Sequence, residues 1–373
     1  MKKSANSPLS NDGERDSRMR YGLKFIAALA LAAAALGFQY SYAEKPVRIG
    51  TTAASFLEIG FGAAGSAMGD AAVASANDVS AVYWNPARLA GLRQNEAQFL
   101  FQPWFAGIST NGAAVGMIIP NVGSVAVQYC QASYGEMKVT TTDYQDGTGE
   151  FFTARDYSLS LSFARKLVQW FSFGASGKMV GSSIWHCRAR AMAVDLGVSV
   201  NTAFFSPTGD RKDGMTIGMS ISNYGGKMKF DGMDLMQPID LYPYENGNYK
   251  YAEGQFRTQQ WELPLIFRIG ASVTPVASAS QRLTVEIDAL HPNNNAESVN
   301  VGAQYEIEVP AFGTFYLRGG YKALFLEDSE YGASFGAGLI NRMMHRMALK
   351  VDYTYRDIGI LGAVHAYSFG VLF

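Results

Sequence analysis

Four histidines (His186, His291, His345 and His365) and two cysteines (Cys130 and Cys187) are the residues in this chain most able to do chemistry. Their spacing assembles no catalytic or metal machinery. There is no GxSxG elbow, no HExxH pair and no CxxC, and the carboxylates are scattered. His291 stands in a His-Pro-Asn turn, and His365 falls on the apolar register of the last strand-like stretch. An oxidising compartment would permit a single disulfide. Cys130, however, lies within a strand pattern and Cys187 in an expected loop, so two unlinked small residues is the favoured reading. Neither an enzyme nor a bound cofactor or metal is expected.

A different set of polar residues is ordered. Lys178, Asp195, Arg268, Glu286, Glu306, Arg318, Lys350 and Asp352 each sit well inside a stretch that alternates apolar and polar residues. In 192–201, Met192, Val194, Leu196, Val198 and Val200 alternate with Ala193, Asp195, Gly197, Ser199 and Asn201. In 347–356, Met347, Leu349, Val351, Tyr353 and Tyr355 alternate with Ala348, Lys350, Asp352, Thr354 and Arg356. A period of two puts one face of a strand in an apolar medium and the other in a polar one. Sandwich strands are usually about five or six residues long. Several of these run to the 9–11 residues that cross a bilayer when tilted. A charged face along such strands suits a wet lumen.

Fourteen such segments lie near 96–105, 110–119, 123–133, 151–164, 169–180, 190–201, 214–222, 264–274, 282–288, 298–308, 312–321, 332–340, 346–356 and 363–373. The fold class expected is all-β: an antiparallel transmembrane β-barrel of about 14 strands, an even number as single-chain bacterial barrels have. Connections after odd-numbered strands include the longest, near 134–150 and 223–263, and those after even-numbered strands are mostly short, with 202–213 the exception. That asymmetry places long loops outside the cell and both termini on the periplasmic side. Net charge is −1, which gives nucleic acid no electrostatic attraction. Charged residues make up 17%, below the roughly 25% of soluble domains, and aromatics 13%. This composition suits an outer wall facing lipid.

Arg18, Arg20 and Lys24 precede the apolar run 25–38, and Ser41-Tyr42-Ala43 offers a small-x-small cleavage site. Residues 1–43 are therefore read as a signal peptide directing export to the outer membrane, with Met1 or Met19 as the start. No later run approaches the ~20 apolar residues of a membrane helix, so any crossing is made by strands. The final strand ends on alternating aromatics, and Phe369 and Phe373 fit the terminal signal read by the barrel-insertion machinery.

Residues 55–92 (SFLEIGFGAAGSAMGDAAVASANDVSAVYWNPARLAGL) do not alternate. Their glycines and alanines allow close backbone approach. Asp78 reads as the N-cap of a short helix over 79–83, and Asn85 with Pro86 behind it as a second helix start. Compact packing inside the barrel suits this segment, which makes 44–95 a hatch and 96–373 the barrel. The pattern resembles the N-terminal signature of the PorV/PorQ family, which is related to FadL-type outer-membrane transporters with an Asn-Pro-Ala motif in their hatch. Asn85-Pro86-Ala87 matches that motif, with Asp78 and Tyr83 upstream at the family's spacing. Leu263-Pro264, 267–270, Asp288-Ala289, His291-Pro292-Asn293, 299–302, 317–322, 352–355 and His365 are similar to the same family. Arg88-Leu89 departs from the more usual Gly-Leu.

The resemblance implies two functions. One is an adaptor in a type IX-like secretion system, with secretion components and exported proteins as partners. The other is a FadL-like channel whose ligand is a small hydrophobic molecule. Membrane lipid is a partner in either. The residues expected to hold or gate the hatch are Phe56, Gly69, Asp78, Asn85 and Pro86. Tyr242, Tyr244 and Tyr249, beside Met233 and Met236, form a loop that would serve as a binding surface, pack on itself or join the interfacial girdle.

Overall fold

The computed structural model describes residues 48–245, 252–344 and 347–373. The signal peptide expected over 1–43, Tyr249 and His345 lie outside the described residues.

Fourteen long strands account for most of the chain. They are β1 (Glu96–Pro103), β2 (Ser109–Ile119), β3 (Gly123–Lys138), β4 (Phe151–Val168), β5 (Phe171–Ile184), β6 (Cys187–Asn201) and β7 (Thr216–Gly225), then β8 (Ile266–Ala277), β9 (Gln281–Pro292), β10 (Ser298–Val309), β11 (Gly313–Leu324), β12 (Ala333–Met344), β13 (Met347–Asp357) and β14 (Ala363–Leu372). Each pairs antiparallel with its sequence neighbours, β7 with β8 included. β1 pairs with β14 from Glu96↔Leu372 to Phe101↔Tyr367, which closes the sheet into a barrel and leaves no edge. All fourteen stretches read from alternation are strands. Cys187 is not in a loop: it opens β6, because the β5–β6 turn is only Trp185 and His186. Cys130 and Cys187 are both free.

Burial shows why the alternation was so regular. On β6, Met192 is 76% exposed while Asp195 is 1% exposed, and the two classes alternate along the strand. On β13, Leu349, Val351 and Tyr353 face outward while Lys350, Asp352 and Arg356 are buried inside. This is an inside-out protein. Burying one Leu-sized side chain is worth about 1.5–3 kcal/mol, so dozens turned outward would cost tens of kcal/mol in water. Against hydrocarbon they cost nothing, and the strand backbones pair with one another around the closed sheet.

Connections at one end are short: 120–122, 169–170, 278–280 and 310–312, with 202–215 longer. That longer connection is structured, since Asp213 accepts from Arg282 Nη1 at 2.6 Å and Lys212 O accepts from Arg282 Nη2 at 2.8 Å. The other end carries 139–150, 226–265 and 325–332. Within 226–265, Met236–Ile239 pairs with Ala252–Gln255 as a projecting hairpin.

The position expected for the N-terminal end is corrected. Thr52 bridges Glu262, Ala53 N–H donates to Glu262 O at 2.8 Å, and Asn294 Nδ2 donates to Thr52 Oγ1 at 2.9 Å. Glu262 and Asn294 belong to connections after odd-numbered strands, so residues 48–53 lie at the long-connection end. The physical reason is that residues 54–95 descend the whole lumen before β1 begins at the opposite end.

Candidate functional site: the segment within the lumen

The segment that descends the lumen is short on regular structure. It comprises a 3₁₀ turn (Ser55–Glu58), α1 (Ala63–Ala67), α2 (Ala81–Trp84) and a 3₁₀ helix (Pro86–Gly91). Half of residues 55–92 are Gly, Ala or Ser, so much of the contact with the wall is made by backbone, and the wall answers with polar side chains. Near the long-connection end, Phe56 and Leu57 are buried against Ala132, Val180, Ala189, Met228 and Leu263.

Below this, Gly69 takes φ +68°, and a Cβ there would stand 2.6 Å from Tyr321 N of β11. Only glycine fits both the left-handed backbone and the contact. Asp70 follows it, 5% exposed, and it ion-pairs with Arg356 of β13 and, at 2.8 Å, with Lys322 of β11. Burial alone would raise its pKa, but Arg356 and Lys322 outweigh burial and hold the carboxyl below its ordinary value. The backbone then reaches β9, where Ala72 and Val73 N–H donate to Asp288 Oδ2 at 2.9 and 3.1 Å and Ala74 N–H to Glu286 Oε1 at 2.6 Å.

Asp78 does less capping and more ion pairing than its spacing suggested. The regular helix begins at Ala81 with Ser80 before it. Asp78 Oδ1 accepts from Ser80 N–H at 3.0 Å, closing the turn that leads into α2. Its other oxygen pairs with Lys350, which also reaches Glu96 at 3.1 Å. Burial again opposes ionisation of Asp78, and Lys350 reverses it, so this carboxyl too is held low. Lys350 thus ties the segment, β1 and β13 together, and Arg318 continues the chain to Asp352 at 2.6 Å.

Asn85 and Pro86 form the lower anchor. Asn85 Oδ1 accepts from Ala87 N–H at 3.1 Å, and its Nδ2 donates to Val73 O within the segment and Val198 O of β6, both at 3.0 Å. Asn85 is fully buried. Gly197 of β6 makes the site possible, because a Cβ there would lie 2.1 Å from Asn85 Oδ1. Ser220 of β7 donates to Trp84 O at 3.0 Å, and Arg88 Nε to Ala76 O at 3.0 Å.

The lumen charges expected to face water are therefore largely spent on the segment and on one another. Glu306 is the half-buried exception. Arg268 stays inside, donating to Ser222 Oγ at 2.9 Å with its guanidinium 5.3 Å from the Tyr83 ring centre. The sequence signalled that Lys350, Arg318 and Glu286 face inward but not what they meet. Asp70 was missed altogether, although a lone carboxylate in a Gly/Ala tract was the available signal.

Other singled-out residues lie apart. Tyr242 and Tyr244 are exposed, Tyr244 at 99%. Phe369 and Phe373 face outward on and after β14. His186 pairs with Asp234 at 2.8 Å, His291 with Glu297 at 3.2 Å, and His365 lies 2.8 Å from Tyr353 OH. Among the described residues no three His, Cys, Asp or Glu side chains group to hold a metal.

Against known proteins, the family model described as type IX secretion system protein PorV matches residues 42–242. No curated protein matches the sequence. Among solved structures, the toluene transporter TbuX of Ralstonia pickettii is 10% identical with a TM-score of 0.51, covering 84% of this chain and 97% of that one. The toluene transporter TodX of Pseudomonas putida is 12% identical with the same TM-score and coverage. The monoaromatic hydrocarbon channel CymD is 11% identical with a TM-score of 0.51, covering 84% and 96%. At these identities the likeness establishes the barrel fold and nothing finer.

Proposed function

This chain belongs to the PorV family of type IX secretion system outer-membrane proteins, and from that premise we propose that it is an adaptor, holding secretion components and exported proteins at its long-connection end. In this reading 1–43 is the export signal, 44–95 the plug and 96–373 the barrel. Phe56, Gly69, Asp78, Asn85 and Pro86 keep the plug in place, and the loop with Tyr242, Tyr244 and Tyr249 is the docking surface.

The observation that carries the proposal is the way the lumen is filled. Ion pairs from Asp70 and Asp78, backbone donors onto Glu286 and Asp288, the Asn85 anchor and the Ser220 bond to Trp84 O bind the segment to five different strands. Releasing it would strand several buried charges at once, which is costly. A barrel so filled offers partners its rim rather than its bore. The hairpin in 226–265 supplies that rim with exposed Met233, Tyr242 and Tyr244, the aromatic and Met character of protein interfaces.

A second reading, a channel for small hydrophobic molecules, has one observation on its side. A cavity of about 110 Å³ lies near the long-connection end, lined by Tyr83, Trp84, Ile266, Leu290 and Arg268 among others. Mass spectrometry of proteins and lipids recovered with the barrel from native membranes separates the two. The adaptor reading expects exported proteins and secretion components. Recovery of a small hydrophobic ligand and no protein partner would refute it.

A further inference from the structure

The barrel's outer wall carries a cationic cluster that the secretion role does not use. Arg155 of β4, Arg188 and Arg190 of β6 are exposed and line one groove with Tyr129, Tyr157 and Ser183. Strand register brings them together. Ser133, Arg155, Ser183 and Arg188 stand side by side across β3 to β6, and one row nearer the barrel's middle come Gln131, Tyr157, Gly181 and Arg190. Gly181 leaves room for the Tyr157 ring to lie flat across β5, where a Cβ would come within 2.4 Å of it. The ring forms a floor between the flanking guanidinium groups.

None of the three arginines has an ion pair among the described residues. The carboxylates that neighbour them are Asp231, which pairs with Arg188 through the backbone, Asp234, held by His186 Nδ1 at 2.8 Å, and Glu136 near the top of β3. Asp231 Oδ1 is taken by Gln255 Nε2 at 2.6 Å. These are the opposite circumstances from the lumen, where Asp70, Asp78, Asp195 and Asp352 each meet a lysine or an arginine.

The height of the cluster identifies the medium. Below Arg190, the outward residues of β6 are Met192, Val194, Leu196, Val198 and Val200. They span about 27 Å along the strand, or about 20 Å when tilted 40°, close to the ~25 Å apolar band of such barrels. The arginines thus sit at the upper edge of the band, where a lipid-facing cation costs least. Long connections of these barrels face the cell exterior, so this edge meets the headgroups of the outer leaflet. Guanidinium forks bind phosphate oxygens in bidentate fashion.

We propose that this groove is a binding site for the phosphate groups of a phosphorylated glycolipid of the outer leaflet. The acyl chains lie along Leu159, Met179 and Met192, one row below, and the phosphates sit among Arg155, Arg188 and Arg190. A protein or peptide anion is disfavoured because the groove opens sideways into the membrane plane rather than upward to solvent.

The test uses the whole barrel purified in detergent, probed by native mass spectrometry with bisphosphorylated lipid A, dephosphorylated lipid A and inorganic phosphate. Wild type should hold the bisphosphorylated lipid at least about ten-fold more tightly than the dephosphorylated one, as charge-assisted bonds imply. The variant R155Q/R188Q/R190Q should lose that preference while keeping the gel mobility of a folded barrel. Ser183→Leu, which fills the groove but keeps every arginine, should weaken the lipid several-fold. An unchanged preference in the triple variant overturns the proposal, as does equal retention of both lipids by wild type. Full competition by millimolar inorganic phosphate would show a free-anion site and overturn the lipid assignment.

Discussion

The luminal segment is held at two places by different physics. Its upper anchor, Asp70, is electrostatic: one carboxylate meets Arg356 and Lys322 from two strands. Its lower anchor, Asn85, is neutral and depends on fit, with one amide bridging Ala87, Val73 and Val198 beneath a glycine that leaves it space. Breaking one partner of a buried ion pair leaves a charge with neither water nor a counter-ion, whereas losing an amide leaves only unmade hydrogen bonds. The two anchors should therefore fail differently.

The largest effect is expected at Asp70. Asp70→Ala leaves two cations in the wall and should cost about 3–5 kcal/mol in unfolding of the detergent-solubilised barrel by guanidinium. Adding Arg356→Met should restore part of the loss. If Asp70→Ala costs no more than Asn85→Ala, the distinction between the anchors fails.

Acid gives the next test. Asp70 and Asp78 have pKa values held below the ordinary 3.8. Their contribution is fully present above 3.8 and is lost as pH falls through the lowered values. The unfolding midpoint should thus show a decline below about pH 3.8 that is shallower in Asp70→Asn. A decline of the same steepness in both proteins would remove Asp70 as its source.

Asn85→Ala should cost about 1–2 kcal/mol, the sum of a lost cap and two unanswered carbonyls, with no dependence on pH in the acid range. Protease sensitivity of residues 55–92 in the folded barrel would report the loosening. The smallest effect belongs outside the lumen. Tyr244→Ala should change stability by less than about 0.5 kcal/mol, as exposed substitutions do, while lowering recovery of protein partners. Unchanged recovery would move the docking surface elsewhere on the rim.

The two regions also differed in how much of them could be read from the sequence. The wall was legible because its two faces meet different media, so Leu349 and Lys350 had to alternate. The Asn85-Pro86 start was legible because capping is local. Register pairs and ion pairs were not: Asp70 and Arg356 are 286 residues apart, and no periodicity links them. The path of residues 48–54 was misjudged for a related reason. Where a barrel's end lies is fixed by loop lengths, but a segment threaded through the lumen can enter at either mouth. Cys187 was misplaced because a two-residue turn leaves almost no loop signature.

The central claim is that the segment is a fixed part of the barrel and that the barrel works with its lumen closed. Val79 of the segment and Gly116 of β2 can test it, since a Cβ on Gly116 would lie 3.6 Å from Val79 Cβ, within the range of a disulfide. Val79→Cys with Gly116→Cys, in a chain carrying Cys130→Ser and Cys187→Ser, should oxidise readily and export type IX cargo at the wild-type rate. Export that stops on oxidation and returns with reductant would contradict the account.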